Sequence, residues 1–454
     1  MDSEELVQSP CNRRLGGAAV AVAIVALSAL QAGGAPPPVP EVTAKDRAAI
    51  IGSIVGDLND TYVFADVAEK MANLLRKELA AGTYDGVTTL PAFCELLTVE
   101  LQCVSHDRHL IVRWEPPPPD VGGKPPSAAE ERARELAELR RGNYCFERIE
   151  HLPGNVGYLK LDCLADAGVG GATAVAAMNF LAGSDALIFD LRDNGGGEPS
   201  MIQLINSYLF EAPTHLNSFY IRKGDQTEQF WTQAHVEGSR LTDVPVFVLT
   251  SGYTFSGGEE FAYNLKSTKR GTIVGETTGG GAHPVRRFPV AGYPVTVNVP
   301  FGRAINPITG TNWEGTGVAP DVPTTATAAL DTAYVKALET VEAKTKDEVV
   351  KREVAWMREG ATARLQPFAV AESSLRGYAG TYGLRTVTSE GGALNYQRRG
   401  RGKFALVPMA RDLFDIPELD YFRVAFERDA GGQVVRLVGL YANGRSEPSD
   451  RTAR

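Results

Sequence analysis

The sequence predicts an α/β protein with an N-terminal helical domain ahead of the sheet and a small all-β module behind it. Three observations carry this. Short unbroken apolar runs, Ala186 to Leu191 and Val246 to Leu249, alternate with helical patterns, as parallel strands buried on both faces do. Apolar stripes at helical spacing fill Thr43 to Leu101. From Gly377 onward, short alternating runs broken by Gly and Asn turns replace both patterns. A chain of 454 residues is too long for one ordinary core. Its 43% hydrophobic and 22% charged content is that of a globular protein. The net charge of -9 argues against a nucleic-acid partner, because phosphate binding needs a basic face.

In chain order, Arg13-Arg14 precede an apolar run from Leu15 to Leu30, then small residues and Pro36-Pro37-Pro38. This reads as a secretory signal over 1–35, cleaved near Ala32 or Ala35, so the protein is expected to be exported, periplasmic or secreted. No stable membrane span is expected after cleavage. A three-helix domain follows over 43–115. Its stripes are Ile50, Ile51, Ile54, Val55 and Leu58, then Val67, Met71, Leu74, Leu75 and Leu79, then Phe93, Leu96, Leu97 and Leu101. A proline-rich linker and a charged helix occupy 116–143. The α/β core is placed at 144–328, a helical connector at 329–370 and the β module at 371–454. Cys94, Cys103, Cys145 and Cys163 remain after the signal. An even number permits disulfides in an exported protein, but buried thiols are the default for so large a chain. No Cys/His spacing suggests a metal, and no cofactor is expected.

Strands alternating with helices imply crossover units, with ligands bound beyond the carboxyl ends of the strands. The loops there, Asp193 to Gly197, Thr250 to Gly258 and Gly275 to Pro284, are glycine-rich, so their amides can approach a substrate. Ser256 stands between a buried strand and a helix N-terminus. Such a serine caps helices well, and it is also where a nucleophile is presented. HExxH, the P-loop and a dinucleotide fingerprint are absent, and Thr254 stands where a GxSxG elbow needs Gly. A serine nucleophile needs a base, an orienter and an oxyanion hole. His109 or His106 can be the base. Glu314 can orient it, as can Asp107, which shares a face with His109 in extended chain. The amides of Gly257 and of Gly196 or Gly197 can form the hole.

Five stretches in order carry a family resemblance: Asp107-x-His109, DLRDNGGG (Asp190 to Gly197), TSGYTFSGGEEFAY (Thr250 to Tyr263), VGETTGGGAHP (Val274 to Pro284) and NWEGTGVAPDV (Asn312 to Val322). Together they resemble the tail-specific, or carboxyl-terminal-processing, serine peptidases, in the branch of the tricorn protease core and interphotoreceptor retinoid-binding protein. The resemblance implies a ClpP/crotonase-like βαβ core, a peptide or protein substrate, Ser256 as nucleophile, and Gly257 with the NGGG loop as oxyanion hole. Processing enzymes take a lysine base from a GKG-type turn. Here that turn is Gly279-Gly280-Gly281, so a histidine base of the tricorn type is implied. The tricorn arrangement links histidine to glutamate through a preceding serine. Arg108 precedes His109, whereas Ser105-His106 has that order at a shifted register. No stretch resembles the peptide-binding PDZ insert. The expected function is an exported serine endopeptidase with a Ser-His-Glu type site. The alternative is a non-catalytic carrier of hydrophobic ligands or peptides on the same fold.

Overall fold

The computed structural model describes residues 39–116, 127–366 and 368–452. The secretory signal read at 1–35 and most of the proline-rich linker lie outside the described residues. The chain forms two compact units that do not follow chain order. The first takes the described part of Met1–Ala133 together with Asn217–Gln229 and Gly280–Thr316, and the second takes the remainder.

The first unit holds the helices Ala44–Thr61, Ala65–Ala80 and Leu90–Ser105. Thr43 caps the first: its side chain accepts the Asp46 N–H while the Asp46 carboxylate accepts the Thr43 N–H at 2.9 Å. The stripe Ile50, Ile51, Ile54 and Leu58 is buried, as its spacing requires, and packs with Val295, Val297 and Val299 of the strand Val295–Pro300. That strand lies between Ile111–Trp114 and Val285–Pro289, antiparallel to both. Leu90–Ser105 ends at His106, whose left-handed φ of 57° turns the chain into Asp107, Arg108 and His109.

The second unit is built on a six-stranded sheet in the order Val322–Pro323, Gly271–Gly275, Val246–Thr250, Ala186–Asp190, Val156–Leu161, Phe146–Leu152. Every neighbouring pair is parallel except the last. Ala186–Asp190 and Val246–Thr250 are buried at every position, the signature of strands covered on both faces. Tyr158, Ile188, Phe247 and Leu249 pack with Ala333, Leu338 and Val341 of the helix Ala329–Lys344. Thiols are not the general rule here. Cys145 and Cys163 form a disulfide across the ends of the antiparallel pair, with Cα atoms 5.3 Å apart, and Cys103 is also disulfide-bonded. Cys94 remains a buried thiol, its pKa pushed up to about 12 by burial.

Behind the sheet, eight antiparallel strands run in sequence order from Gly380–Tyr382 to Ser446–Asp450. A bridge from Tyr382 to Arg451 joins the first strand to the last, and Thr452 N–H donates to Thr381 O at 2.8 Å, so the sheet closes as a barrel. The helix Glu372–Tyr378 puts Leu375 and Tyr378 into the barrel core with Phe414 and Phe426. The expected class therefore holds: N-terminal helices, an α/β core and a C-terminal β module. Among the described residues no helix is long and apolar enough to cross a membrane.

Candidate active site

Ala186–Asp190 and Val246–Thr250 run side by side, Leu187 opposite Val246 and Asp190 opposite Leu249, so their following loops emerge together. Those loops are tied by the buried Asn194. Its Nδ2 donates to Leu161 O at 2.9 Å, its Oδ1 accepts Gly196 N–H at 2.9 Å, and its carbonyl accepts Phe255 N–H at 3.0 Å. Thr254 Oγ1 adds a bond to Leu191 O at 2.7 Å. The chain then reaches Ser256 at φ 53°, ψ −121°, directly before the helix Gly257–Ser267. A non-glycine residue at positive φ stores about 1–3 kcal/mol, which the surrounding bonds must hold. One of these comes from the buried Glu259, whose Oε2 accepts the Ser256 N–H at 2.9 Å while its Oε1 accepts the Thr278 hydroxyl.

Glycine is required where the two loops touch. A Cβ on Gly196 would lie 2.7 Å from Ser256 Cβ, and one on Gly257 would lie 2.9 Å from Gly197 O. The Gly196 amide is taken by Asn194. Among the described residues the amides of Gly197 and Gly257 make no hydrogen bond, and Gly257 N–H opens a helix, where partial positive charge collects. The nucleophile candidate thus has two donors of the kind that hold an oxyanion.

The titratable groups of the first unit gather on a second set of loops. Asp107 is 1% exposed, and its Oδ2 accepts the His283 Nδ1–H at 2.6 Å. Its other oxygen accepts the His109 N–H at 3.0 Å and stands 3.9 Å from His109 Nδ1. Tyr62 donates its hydroxyl to Asp107 Oδ2 at 3.4 Å, and Phe64 packs edge-on against the His283 ring at 5.6 Å. The loop carrying His283 is clamped by the turn Trp313-Glu314-Gly315. Trp313 Nε1 donates to Gly281 O at 2.7 Å, Gly315 N–H to Gly280 O at 3.0 Å, and Ala282 N–H to Glu314 Oε2 at 2.5 Å. The Glu314 oxygen stands 3.6 Å from His283 Nδ1. Burial pushes the His283 pKa down, but the Asp107 hydrogen bond and the charges of Asp107 and Glu314 outweigh it and leave the pKa raised. His109 goes the other way: burial dominates over the Asp107 charge and lowers its pKa to about 4.

Residues 155–324 match Peptidase family S41, and residues 43–146 match the N-terminal domain of Peptidase_S41 in eukaryotic IRBP. The chain belongs to peptidase family S41. That is a family of serine-type peptidases. Among solved structures, the S41 chain is similar to the photosystem II D1 C-terminal processing protease at 26% identity and TM-score 0.32, over 38% of this chain and 42% of that one. It thus spans less than half of that protease's length. It is also similar to a lipoprotein from Streptococcus agalactiae, at 13% identity and TM-score 0.43, over 68% of this chain and 99% of that one. The tricorn protease aligns at 14% identity and TM-score 0.42, over 66% of this chain and 37% of that one.

Within this S41 chain, Ser256, Gly257, Gly196 and Gly197 come together in one unit, and Asp107, His109 and Glu314 come together in the other. His106 is exposed at the end of its helix, and the Ser105 hydroxyl donates to Leu101 O and accepts the Asp107 N–H. His283 is not among the bases expected from the sequence, although it stands two residues after the Gly279-Gly280-Gly281 turn. Its signal was there: a histidine on a glycine-rich loop, in a chain with only 6 histidines. Asp107, His283 and Glu314 each bring one potential ligand atom within 4.8 Å of one another, a set that suits a cation in kind. The Asp107–His283 hydrogen bond fixes the orientation of the ring, which is how a histidine base is held.

Proposed function

We propose that the chain is an exported serine endopeptidase in which Ser256 is the nucleophile and His283, held by Asp107, is the general base. The observation that carries this is the backbone of Ser256: a positive φ of 53° at the junction of a buried strand and a helix, beside the uncommitted amides of Gly257 and Gly197. A serine that only capped the helix would need neither the strain nor the glycine loop packed against it.

In this reading Ser256 Oγ attacks the scissile carbonyl carbon and its proton passes to the imidazole. The oxyanion takes the two amide donors, the imidazolium protonates the leaving amine, and water repeats the sequence on the acyl-enzyme. His283 suits the base role because Asp107 occupies Nδ1 and so sets Nε2 as the proton acceptor. His109, driven toward a pKa of about 4 by burial, is the weaker base and stands in reserve with His106. Glu314 acts as a positioning residue, holding the Ala282 amide and adding negative charge near the imidazole. Export is supported by the Cys145–Cys163 disulfide, which persists in oxidising compartments.

A fluorophosphonate probe followed by peptide mapping tests the assignment. Labelling is expected on Ser256, and it should disappear in Ser256→Ala and fall sharply in His283→Ala. Labelling at Ser251, or labelling that survives Ser256→Ala, overturns the nucleophile. Loss in His109→Ala with full labelling in His283→Ala returns the base role to His109. A folded protein that never labels and never cleaves peptides points to the carrier instead.

A further inference from the structure

The barrel closed by Tyr382 and Arg451 has the helix Glu372–Tyr378 packed on its core, and an open pocket of about 620 Å³ lies at its surface, lined in part by the exposed Arg398, Arg401, Tyr421 and Arg445. This lies within the range of small-molecule sites, about 300–1,000 Å³, which recur in the mouths of β-barrels. Its inner wall is aromatic: Phe422 lies 5.5 Å from the Tyr396 ring and 5.1 Å from the Tyr441 ring. Arg398, Arg401 and Arg445 are also in the lining, which holds no carboxylate. Arg445 stacks over Tyr441 at 4.1 Å and pairs with Glu447 at 3.3 Å, whereas Arg398 and Arg401 form no ion pair among the described residues. Next to the wall sits Arg385, 6% exposed, whose Nη2 binds Glu447 and whose Nε makes no hydrogen bond among the described residues. Gly439 leaves the room for this: a Cβ there would meet the Phe422 ring at 2.7 Å and Arg385 Nη2 at 3.1 Å.

We infer that this pocket binds a small amphipathic carboxylate, its apolar body against Tyr396, Phe422 and Tyr441 and its carboxylate on Arg398 and Arg401. The chemistry follows from the lining. Aromatic walls desolvate an apolar chain or ring, and a guanidinium fork takes a carboxylate in two parallel hydrogen bonds. A neutral apolar ligand would leave the arginines unanswered, and a cation would be repelled by them. Such a carboxylate can belong to a free acid or to the chain end of a peptide, and the experiment separates these. The inference is independent of peptide hydrolysis.

Full-length protein carrying Ser256→Ala, so that no peptide can be turned over, is titrated by calorimetry with two pairs of probes. The first pair is decanoate and decanol, and the second is a leucine-ended peptide as free acid and as amide. At least one acid is expected to bind saturably, about tenfold or more tighter than its neutral partner, the scale of a charge-assisted hydrogen bond. The acid that binds identifies the source. Arg398→Gln with Arg401→Gln should cost about the same factor with the unfolding midpoint unchanged. Lysine at both positions keeps the charge without the fork, and it should retain part of the affinity as the folded control. The inference fails if neither acid binds or if the neutral partners bind equally well. It fails too if the folded glutamine pair keeps full affinity.

Discussion

His283 and His109 are two buried imidazoles beside one carboxylate, and they titrate in opposite directions. Both lose solvation. Only His283 has the Asp107 oxygen in line with a ring nitrogen at 2.6 Å and a second carboxylate, Glu314, at 3.6 Å. His109 has Asp107 at 3.9 Å from its ring and a close cation neighbour in Arg108, so burial wins. The sign of the activity profile follows. In the proposed mechanism the neutral His283 imidazole is the base, so kcat/KM should fall as pH drops through the raised His283 value, placing the acid limb above that of an unperturbed histidine. Asp107→Asn removes the hydrogen bond and charge that raise that pKa and leaves burial to lower it. The limb should move to lower pH, and kcat should drop by about 10³- to 10⁴-fold, the scale seen when a triad carboxylate is lost. A limb that stays in place in Asp107→Asn, measured on one peptide substrate across pH, would remove His283 from the mechanism.

At the scale of elements, two parallel strands end at the same level and two loops share one volume. Ser256 holds its positive φ because the Asn194–Gly197 loop has no side chains at the contact. Gly196→Ala would drive a methyl to within 2.7 Å of Ser256 Cβ and force the glycine's own φ of 112° on a residue with a Cβ. Its effect should fall on the geometry of the nucleophile more than on the core. Probe labelling should drop by about 10²-fold or more, in line with losing an oxyanion donor or displacing the serine by an ångström. The circular dichroism spectrum should be unchanged. Wild-type labelling of Gly196→Ala would show that this contact is not part of the machinery.

For the molecule as a whole, the disulfide and the strand pair it closes tie the edge of the sheet to the same loop. Cys163 is followed by Leu164, whose N–H donates to Gly196 O at 2.9 Å and whose carbonyl accepts Glu198 N–H at 2.7 Å. Cys145 and Cys163 are 18 residues apart, and a cross-link closing a loop of that size stabilises by about 3 kcal/mol, mainly through the unfolded chain. Denaturant melts of the wild type and of the paired Cys145→Ser, Cys163→Ser variant, both without reductant so that the Cys103 bond stays closed, should differ by about that amount. A midpoint indifferent to the serine variant would show that the bond constrains nothing.

Much of this was legible in order along the chain. The period of apolar residues determined the three helices of 43–101 and the buried strands at 186–190 and 246–250, because burial of a repeating face is a local property of sequence. Strand, turn and glycine-rich loop placed Ser256 and Gly257 at a helix N-terminus for the same reason. The antiparallel strand Phe146–Leu152 escaped notice, since an edge strand with exposed charged residues has no apolar period. Only tertiary structure brought the Asp107–His283 pair and the cross-link together. Asp107 and His283 are 176 residues apart, and no spacing rule connects them; their 2.6 Å hydrogen bond belongs to a Gly280–His283 loop clamped by Trp313 and Glu314. Cys145 found Cys163 because pairing Phe146 with Leu161 brought their neighbours within bonding reach. Side-chain chemistry is written in the sequence, but which side chains answer one another depends on where the backbone hydrogen bonds carry them.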